Sequence, residues 1–371
     1  MSGRPRFASL RDYVARLDDL DFWQPVVGDI LDRHAGAATG SAIEPGVGST
    51  FPTFLFGNVA LKLFGYLPQW ARSFAAERAV QAVLATAPAI LAPRLLGTGR
   101  LCDDAASPWP YLVTTRMAGR AWERAGLTVG QKLAVAGALG SQIRHLHALR
   151  PAAVRAVADV ATGDDWQGLD VTAAAARSSL PQHLLGEVQG FLASLGPDDP
   201  VLVHGDLMGR HVFVLDGRLA GIIDWGDALL TDRHYELAKL HLDLFAGDRA
   251  LLRAFLEASD WPVTPDLPRR ALGQALHRQA HGLTQHHSME SSTACRSCSI
   301  NGPSPRWTSS RWRSSPSDRR LPHGEAACQG GPILLSTSQR GSPERGEDAP
   351  GTTTGGKDCL CGAVAGACRQ R

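Results

Sequence analysis

A short β-hairpin with carboxylates near its open end is the feature that most restricts the fold of this chain. Asp216-Gly217 lies between two apolar runs, residues 211–215 and 219–223. Asp-Gly in this position is a strong hairpin signal, because both central residues of the favoured tight turn need positive φ. The sequence therefore predicts two antiparallel strands joined at Asp216-Gly217.

Three polar side chains are expected to meet at the open end of this hairpin. His211 begins the first strand, Asp224 ends the second, and Asp206 lies in the short loop that follows the β-branched run 201–203. Folding about the turn brings His211 nearly opposite Asp224. A buried hairpin whose aspartates only cap turns is the alternative. The ordered succession of the loop, the hairpin and the polar segment 232–238 favours a functional cluster.

The composition is that of an ordinary globular protein with room for two lobes. The chain has 371 residues, of which 44% are hydrophobic and 20% charged, and its formal net charge is only +2. This balance offers no electrostatic argument for binding nucleic acid or a membrane surface. The sequence shows no signal-peptide pattern and no apolar run of about 18 residues. We therefore expect a cytoplasmic protein.

Two charged residues interrupt apolar patterns in the first third of the chain. Lys62 lies within the strand-like run 59–64, where an unpaired ammonium group would be costly to bury. Glu77 lies on the apolar stripe of the helical segment 70–85. We expect the two side chains to pair. The alternative is that Lys62 extends to solvent from an edge strand and that Glu77 is solvated.

The combined pattern resembles the aminoglycoside phosphotransferase family, which has a protein-kinase-like fold. The resemblance is carried by His204-Gly205-Asp206, by the position five residues after Asp206, and by Ile223-Asp224-Trp225. Over residues 20–265 the chain is most similar to hygromycin-type members. The segments that carry this further similarity are 21–23, 61–65, 109–113, 116–117, 241–242, 245 and 247–249.

The resemblance implies a bilobal α+β fold. Residues 1–117 would form an N-terminal nucleotide-binding lobe, an antiparallel sheet with one helix. Residues 118–285 would form a mainly helical C-terminal lobe that contains the catalytic hairpin and the acceptor site.

The resemblance also implies which residues contact the nucleotide. Lys62 and Glu77 would position the phosphates of ATP, and small residues around Ser49 would let backbone amides approach them. The main chain of Thr115 and Met117 would contact adenine at the hinge between the lobes. A plain turn at Ser49 and an ordinary core position for Met117 are the alternatives.

The implied reaction is transfer of the γ-phosphoryl group of ATP to a hydroxyl group of a small molecule. Asp206 would orient and deprotonate the hydroxyl, His204 would support its loop, and Asp224 would hold Mg²⁺. Where the family usually has Asn, this chain has His211. Imidazole is a softer ligand than the oxygen atoms that Mg²⁺ prefers, so the second metal contact departs from the family pattern.

The implied acceptor is a cationic aminoglycoside such as hygromycin B, which carboxylates would bind through charge-assisted hydrogen bonds. A kinase acting on a metabolic alcohol, of the choline or sugar type, and a non-catalytic nucleotide-binding pseudokinase are the alternatives. The predicted substrate-binding residues are Asp164, Asp165, Asp227, Asp232 and Glu236. For Asp164 and Asp165, a solvated acidic loop is the alternative.

The sequence changes character in its last part, residues 286–371. This segment is rich in Ser, Arg, Gly and Pro and holds six of the seven cysteines, without the ligand spacing of a zinc site. Its composition predicts disorder. We hypothesise that it is an out-of-frame or unrelated translation in place of a final helix. Translating the coding DNA in its other two frames tests this, and no apolar helical pattern there would contradict it.

Overall fold

The computed structural model describes residues 4–34, 42–46, 48–102, 104, 108–158, 170–176 and 182–291, without side chains at 32, 151 and 281–291. These residues form two lobes, as predicted. No helix within these ranges is both long and apolar enough to cross a bilayer. The predicted tail begins at 286, whereas the last helix continues to Ser291. Residues 292–371 and the predicted disorder there lie outside the described residues.

The first lobe is an antiparallel sheet of five strands covered by helices. The strand order is β1-β2-β3-β5-β4. Gly57-Asn58 between two apolar runs predicts a turn, and this turn joins β2 to β3, with Phe56 opposite Val59 and Gly57 at φ +54°. The elements are α1 (Leu10–Ala15), α2 (Leu20–His34), β1 (Ile43–Pro45), β2 (Thr53–Phe56), β3 (Val59–Leu63), α3 (Trp70–Ala85), β4 (Leu95–Arg100) and β5 (Pro110–Thr115).

Large aromatic side chains form the core of the first lobe. Trp23 of α2 is fully buried against Phe54 of β2 and Trp109, with ring centroids 6.1 Å and 5.6 Å apart. Such rings bury much apolar surface and hold few conformations, so they stabilise the sheet on one face. The opposite face of β3 is thereby left for polar groups.

Helices form most of the second lobe. Helix α4 begins with a capping box between Thr128 and Gln131. The helices are α4 (Val129–His147), α5 (Pro151–Ala158), α6 (Val171–Ala176), α7 (Gln182–Leu185), α8 (Val188–Ala193), α9 (Tyr235–Lys239), α10 (Arg249–Ala258) and α11 (Leu267–Ser291), with a π-helical turn at Leu240–Leu244.

Two small sheets in the second lobe carry the polar cluster. The predicted hairpin is confirmed as β8 (Val212–Leu215) and β9 (Arg218–Ile222), joined by Asp216 and Gly217 at φ +50° and +74°. A short strand β6 (Arg120–Ala121) extends this sheet. The run before the polar loop forms β7 (Pro200–Val203) and pairs with β10 (Leu229–Asp232), a pairing that local sequence does not indicate.

Helix α3 joins the two lobes. Its residues Val80, Val83 and Leu84 are buried in the same apolar cluster as Leu139 of α4 and Trp225 of the second lobe. The helix therefore holds Glu77, one turn earlier, at the boundary between the lobes.

Close packing between α4 and α10 makes a paired prediction about two glycines. A Cβ at Gly140 would overlap the carbonyl oxygen of Phe255, whereas a Cβ at Gly137 would meet Ala254 and Ala258 at 3.9 Å. Gly140→Ala should lower the free energy of unfolding by about 1–3 kcal/mol through overpacking. Gly137→Ala should raise it by about 0.5–1 kcal/mol, because alanine favours the helix. Urea denaturation of both variants measures this, and equal effects would contradict the close packing.

Candidate active site

Lys62 joins three elements of the site through two ion pairs. Side chains alternate along β3, so Leu61 and Leu63 enter the core and Lys62 projects from the opposite face. Its Nζ lies 2.8 Å from Oε2 of Glu77 on α3 and 2.6 Å from Oδ1 of Asp224, which follows β9. The predicted pairing of Lys62 with Glu77 is confirmed, and Asp224 shares the same cation.

Lys62 and Asp224 keep each other ionised, whereas burial raises the pKa of Glu77 against the opposing charge of Lys62. Burial alone would lower the pKa of Lys62, but the charges of Asp224 and Glu77 raise it above its ordinary value. Burial would raise the pKa of Asp224, whereas the charges of Lys62 and His211 hold that pKa well below its usual range. Lys62 and Asp224 therefore remain ionised at neutral pH.

Asp224 also has an unusual backbone conformation. Its φ of +65° and ψ of +68° lie in the left-handed region, which residues other than glycine rarely adopt. A 3₁₀ turn, Trp225–Asp227, begins directly after it, and the Trp225 indole donates to the carbonyl of Ile222 at 3.1 Å. Such strain costs about 1–3 kcal/mol and is common at functional sites, where the surroundings hold it in place.

His204 supports the loop that carries Asp206, as the sequence predicts. The ring is fully buried, its Nε2 donates to the carbonyl of Ile223 at 2.9 Å, and its Nδ1 accepts from the amide of Asp206 at 3.2 Å. Burial, followed by the charge of His211, lowers the pKa of His204 to about 4. A neutral imidazole therefore joins the loop to the strand that ends at Asp224.

Basic side chains surround the carboxylate of Asp206. Its Oδ1 accepts from Arg278 Nη2 at 2.8 Å and lies 3.7 Å from Lys239 Nζ, and its Oδ2 lies 3.6 Å from His211 Nδ1. Burial would raise the pKa of Asp206, but the charges of Arg278 and His211 keep it below its ordinary value. An ionised carboxylate with 17% of its side chain exposed is thus available to accept a proton.

His211 lies between the two aspartates. Its Nδ1 must donate to the carbonyl oxygen of Asp206, 2.8 Å away, because that oxygen can only accept. In a neutral ring Nε2 is then an acceptor, although it lies 3.3 Å from Oδ2 of Asp224. Two acceptors at this distance repel unless a proton or a cation lies between them.

The structure also bears on the predicted metal ligands. Asp224 and His211 are brought together, but no cluster of three or more His, Cys, Asp or Glu side chains placed to hold a metal occurs in the described part of the chain. A pair of protein ligands suits Mg²⁺, which usually keeps water molecules and binds substrate phosphates as well. The donor set therefore fits a metal that is bound together with a nucleotide.

The loop around Ser49 faces the second lobe. Ser49 is half-buried, and the carbonyl of the preceding Gly48 accepts from Arg210 Nη1 at 3.2 Å. Arg210 comes from the loop between Asp206 and His211, so this hydrogen bond joins the two lobes.

Thr115 and Met117 lie where β5 leaves the first lobe. The amide of Thr115 donates to the carbonyl of Arg94 at 2.9 Å, so this donor is already engaged within the protein. The Met117 side chain packs against Gly221 of β9, where it leaves no space for a Cβ. The partly buried side chain of Met117 thus contacts the second lobe, and the predicted contact of its main chain with adenine stays a prediction.

The predicted substrate carboxylates lie in different environments. Asp227 is exposed, close to Asp206 and Asp224. Asp232 and Glu236 are each only 1% exposed. Asp164 and Asp165 lie outside the described residues.

The prediction that Asp232 and Glu236 bind the substrate is therefore wrong. Oδ1 of Asp232 accepts from the amide and Nδ1 of His234, at 2.8 Å and 2.6 Å. Oε2 of Glu236 accepts from the amide of His204 at 2.6 Å. Both carboxylates satisfy buried donors of the protein and do not face a substrate. Glu236 supports the loop that carries Asp206, whereas the partners of Asp232 are His234, Asp199 and Arg270.

Sequence reasoning missed three basic residues of the site, Arg210, Lys239 and Arg278. Arg278 is 72 positions from Asp206, and no local motif marks it. The remaining signal was weak: an arginine on the inward side of a predicted helix needs a carboxylate partner.

A family model and several solved structures resemble the chain. The family model, described as the phosphotransferase enzyme family (APH), matches residues 41–272. The fold resembles that of the GDP and kanamycin complex of APH(2'')-IIIa, with 17% identity, a TM-score of 0.55, and coverage of 73% of this chain and 99% of that chain.

Two further structures show the same likeness. The GDP complex of wild-type aminoglycoside 2'-phosphotransferase-IIIa has 18% identity and a TM-score of 0.56, covering 74% of this chain and 93% of that chain. The macrolide 2'-phosphotransferase MphH from Brachybacterium faecium has 20% identity and a TM-score of 0.53, covering 76% and 99%. At these identities the likeness concerns the fold.

Glu236 makes stability depend on pH. Burial raises its pKa to about 7, against the opposing hydrogen bonds from the amides of His204 and Gly205. The folded state therefore binds a proton more tightly than the unfolded state, and stability falls as pH rises from about 5 to about 8. Glu236→Gln should reduce this fall by roughly 1–3 kcal/mol in chemical denaturation.

The matched control is Glu257→Gln, on the exposed side of α10, which should keep the wild-type pH dependence. Identical pH dependence in wild type and Glu236→Gln would contradict the assignment.

Proposed function

Because this chain belongs to the phosphotransferase enzyme family, we propose that it transfers the γ-phosphoryl group of a nucleoside triphosphate to a hydroxyl group of an aminoglycoside. The observation that carries the proposal is the arrangement of Asp206 and Asp224 on either side of His211, with Lys62 paired to Glu77 beside them. Phosphoryl transfer requires mainly positioning and charge neutralisation, and this cluster offers both.

The proposed roles follow from which groups remain accessible. Oδ2 of Asp206 receives the proton of the acceptor hydroxyl, while its Oδ1 is held by Arg278. Lys62 contacts the nucleotide phosphates, and Glu77 keeps its ammonium group in place. The loop at Ser49 covers the phosphates, and the main chain near Met117 contacts the base.

Mg²⁺ is the proposed metal, with Asp224 as its principal ligand and Nε2 of His211 as the second. A cation at this point would remove the repulsion that a neutral His211 has between its Nε2 and Oδ2 of Asp224. When bound, Mg²⁺ neutralises charge on the nucleotide phosphates.

Asp227 is the proposed contact for ammonium groups of the acceptor. It is the exposed carboxylate beside Asp206, and ion pairs with a polycation would orient the reacting hydroxyl. Hygromycin B is the first aminoglycoside to test, because the sequence resembles hygromycin-type enzymes most.

An acceptor with fewer positive charges is the second candidate. Arg278 and Lys239 both lie within 4 Å of Oδ1 of Asp206, and two cations at this point repel ammonium groups. A macrolide, with fewer positive charges, would lessen this repulsion, and a sugar alcohol would avoid it.

One assay of wild type and Asp206→Asn tests both the reaction and the acceptor class. Hygromycin B, kanamycin and streptomycin are each incubated with the protein and ATP or GTP, and mass spectrometry detects the phosphorylated product. We expect at least one of the three aminoglycosides to be phosphorylated. Asp206→Asn should lower kcat by about 10²–10⁴-fold, because the proton acceptor is lost.

The control for this experiment is Asp216→Asn, in the exposed hairpin turn, which should keep full activity. Phosphorylation of a macrolide or sugar alcohol alone would select the second candidate. No transfer to any acceptor by folded, nucleotide-binding protein would contradict the proposal and favour a pseudokinase.

The metal assignment is tested with His211→Asn, which restores the oxygen donor usual in the family. Imidazole suits Ni²⁺, and amide oxygen suits Mg²⁺. Calorimetric titration with a non-hydrolysable nucleotide present should show Ni²⁺ binding weakened by about tenfold or more and Mg²⁺ binding retained or strengthened. Unchanged Ni²⁺ binding would show that His211 is not a metal ligand.

A further inference from the structure

Arg278 connects the last helix to the loop that carries Asp206. Its Nε and Nη2 donate to the carbonyl of Gly205 at 3.2 Å and 2.9 Å, and Nη2 also donates to Oδ1 of Asp206 at 2.8 Å. Arg278 lies on α11, after the end of the family match at residue 272. One guanidinium group thus holds both the backbone and the carboxylate of the loop.

The surroundings of Arg278 keep it in this position. Its guanidinium carbon lies 5.7 Å from the ring centroid of Tyr235, at the start of α9. The side chain is 23% exposed, and the nearby carboxylates of Asp227 and Glu236 add favourable charge. An arginine so enclosed has few other conformations available.

The loop needs such support. Gly205 has φ +82°, a conformation that only glycine adopts readily, and glycine is also the most flexible residue. The amides of the loop already bind Glu236 and the His204 ring, and the hydrogen bonds from Arg278 restrain the carbonyl side of the same backbone.

We propose that Arg278 is a positioning residue for Asp206. By holding Oδ1, it fixes the rotation of the carboxylate so that Oδ2 faces His211, 3.6 Å away, and the Asp224 side of the site. The inference rests on the proposed phosphotransfer at Asp206. It makes the docking of α11 a requirement for turnover.

The chemistry of the contact predicts a graded series of variants. The planar guanidinium group reaches two acceptors at once, whereas a lysine ammonium group has no such fixed fork. Arg278→Lys should therefore retain part of the activity, and Arg278→Gln should retain less. Lys239 does not replace Arg278, because Asp243 already holds its ammonium group at 3.2 Å.

Steady-state kinetics on the full chain test the role. Arg278→Gln should lower kcat by about 10- to 100-fold, the effect of misplacing a reacting group, while the KM for the nucleotide stays at the wild-type value. Methylguanidinium added to Arg278→Ala should restore part of kcat. The control is Arg269→Gln, an exposed arginine on the same helix whose Nη2 donates to Ser194, and it should keep wild-type kinetics.

Several results would overturn the inference. Wild-type kcat in Arg278→Gln would do so directly. A loss of kcat that follows a lowered melting temperature, with neither partial activity in Arg278→Lys nor rescue by methylguanidinium, would assign Arg278 a purely structural role.

A second measurement separates this inference from the proposed function. Hydrogen exchange of the peptide containing residues 204–210, measured by mass spectrometry, needs no substrate. Arg278→Gln should speed exchange in this peptide relative to wild type, and Arg269→Gln should not. If wild type transfers no phosphoryl group but this difference is present, the proposed function fails and the positioning contact stands. Equal exchange in the three proteins overturns the inference.

Discussion

The rest of the site depends on the two ion pairs of the Lys62 ammonium group. It binds Glu77 at 2.8 Å and Asp224 at 2.6 Å, and so joins β3, α3 and the end of β9. Burying a charge is costly unless it is paired, and removing one partner of a buried pair costs about 3–5 kcal/mol. The three elements therefore hold one relative arrangement. Under the proposed function, the same charge also contacts the nucleotide phosphates between the lobes.

A second constraint is the contact of His211 with Asp224, which needs a proton or a cation between the two side chains. The carbonyl of Asp206 fixes the tautomer of the ring, and the other ring nitrogen then faces a carboxylate oxygen of Asp224 at 3.3 Å. The attraction at Lys62 is satisfied within the protein, whereas a neutral His211 and Asp224 would repel each other. A metal bound with the nucleotide would relieve that repulsion, so binding would be coupled to the charge that the substrate brings.

The loop that carries Asp206 is held from below and from the side. Glu236 accepts from its backbone amides, and Arg278 donates to its carbonyl and to its carboxylate. One support comes from the helix after β10 and the other from α11, beyond the family match. The site is therefore larger than its motif. Polar groups buried around a motif act on the reacting group through geometry even though they touch no substrate.

The sequence by itself determined the local features, and only the tertiary structure decided which side chains share a charge. The turns at Gly57 and Asp216 could be predicted because glycine and aspartate at these positions favour one backbone geometry over a few residues. The Lys62–Glu77 pair could be predicted because each charge interrupts an apolar pattern. The contact of Arg278 with Asp206, and the burial of Glu236, could not. These depend on helices that pack against the loop from 72 and 32 positions away, and a one-dimensional pattern carries no information about such distances.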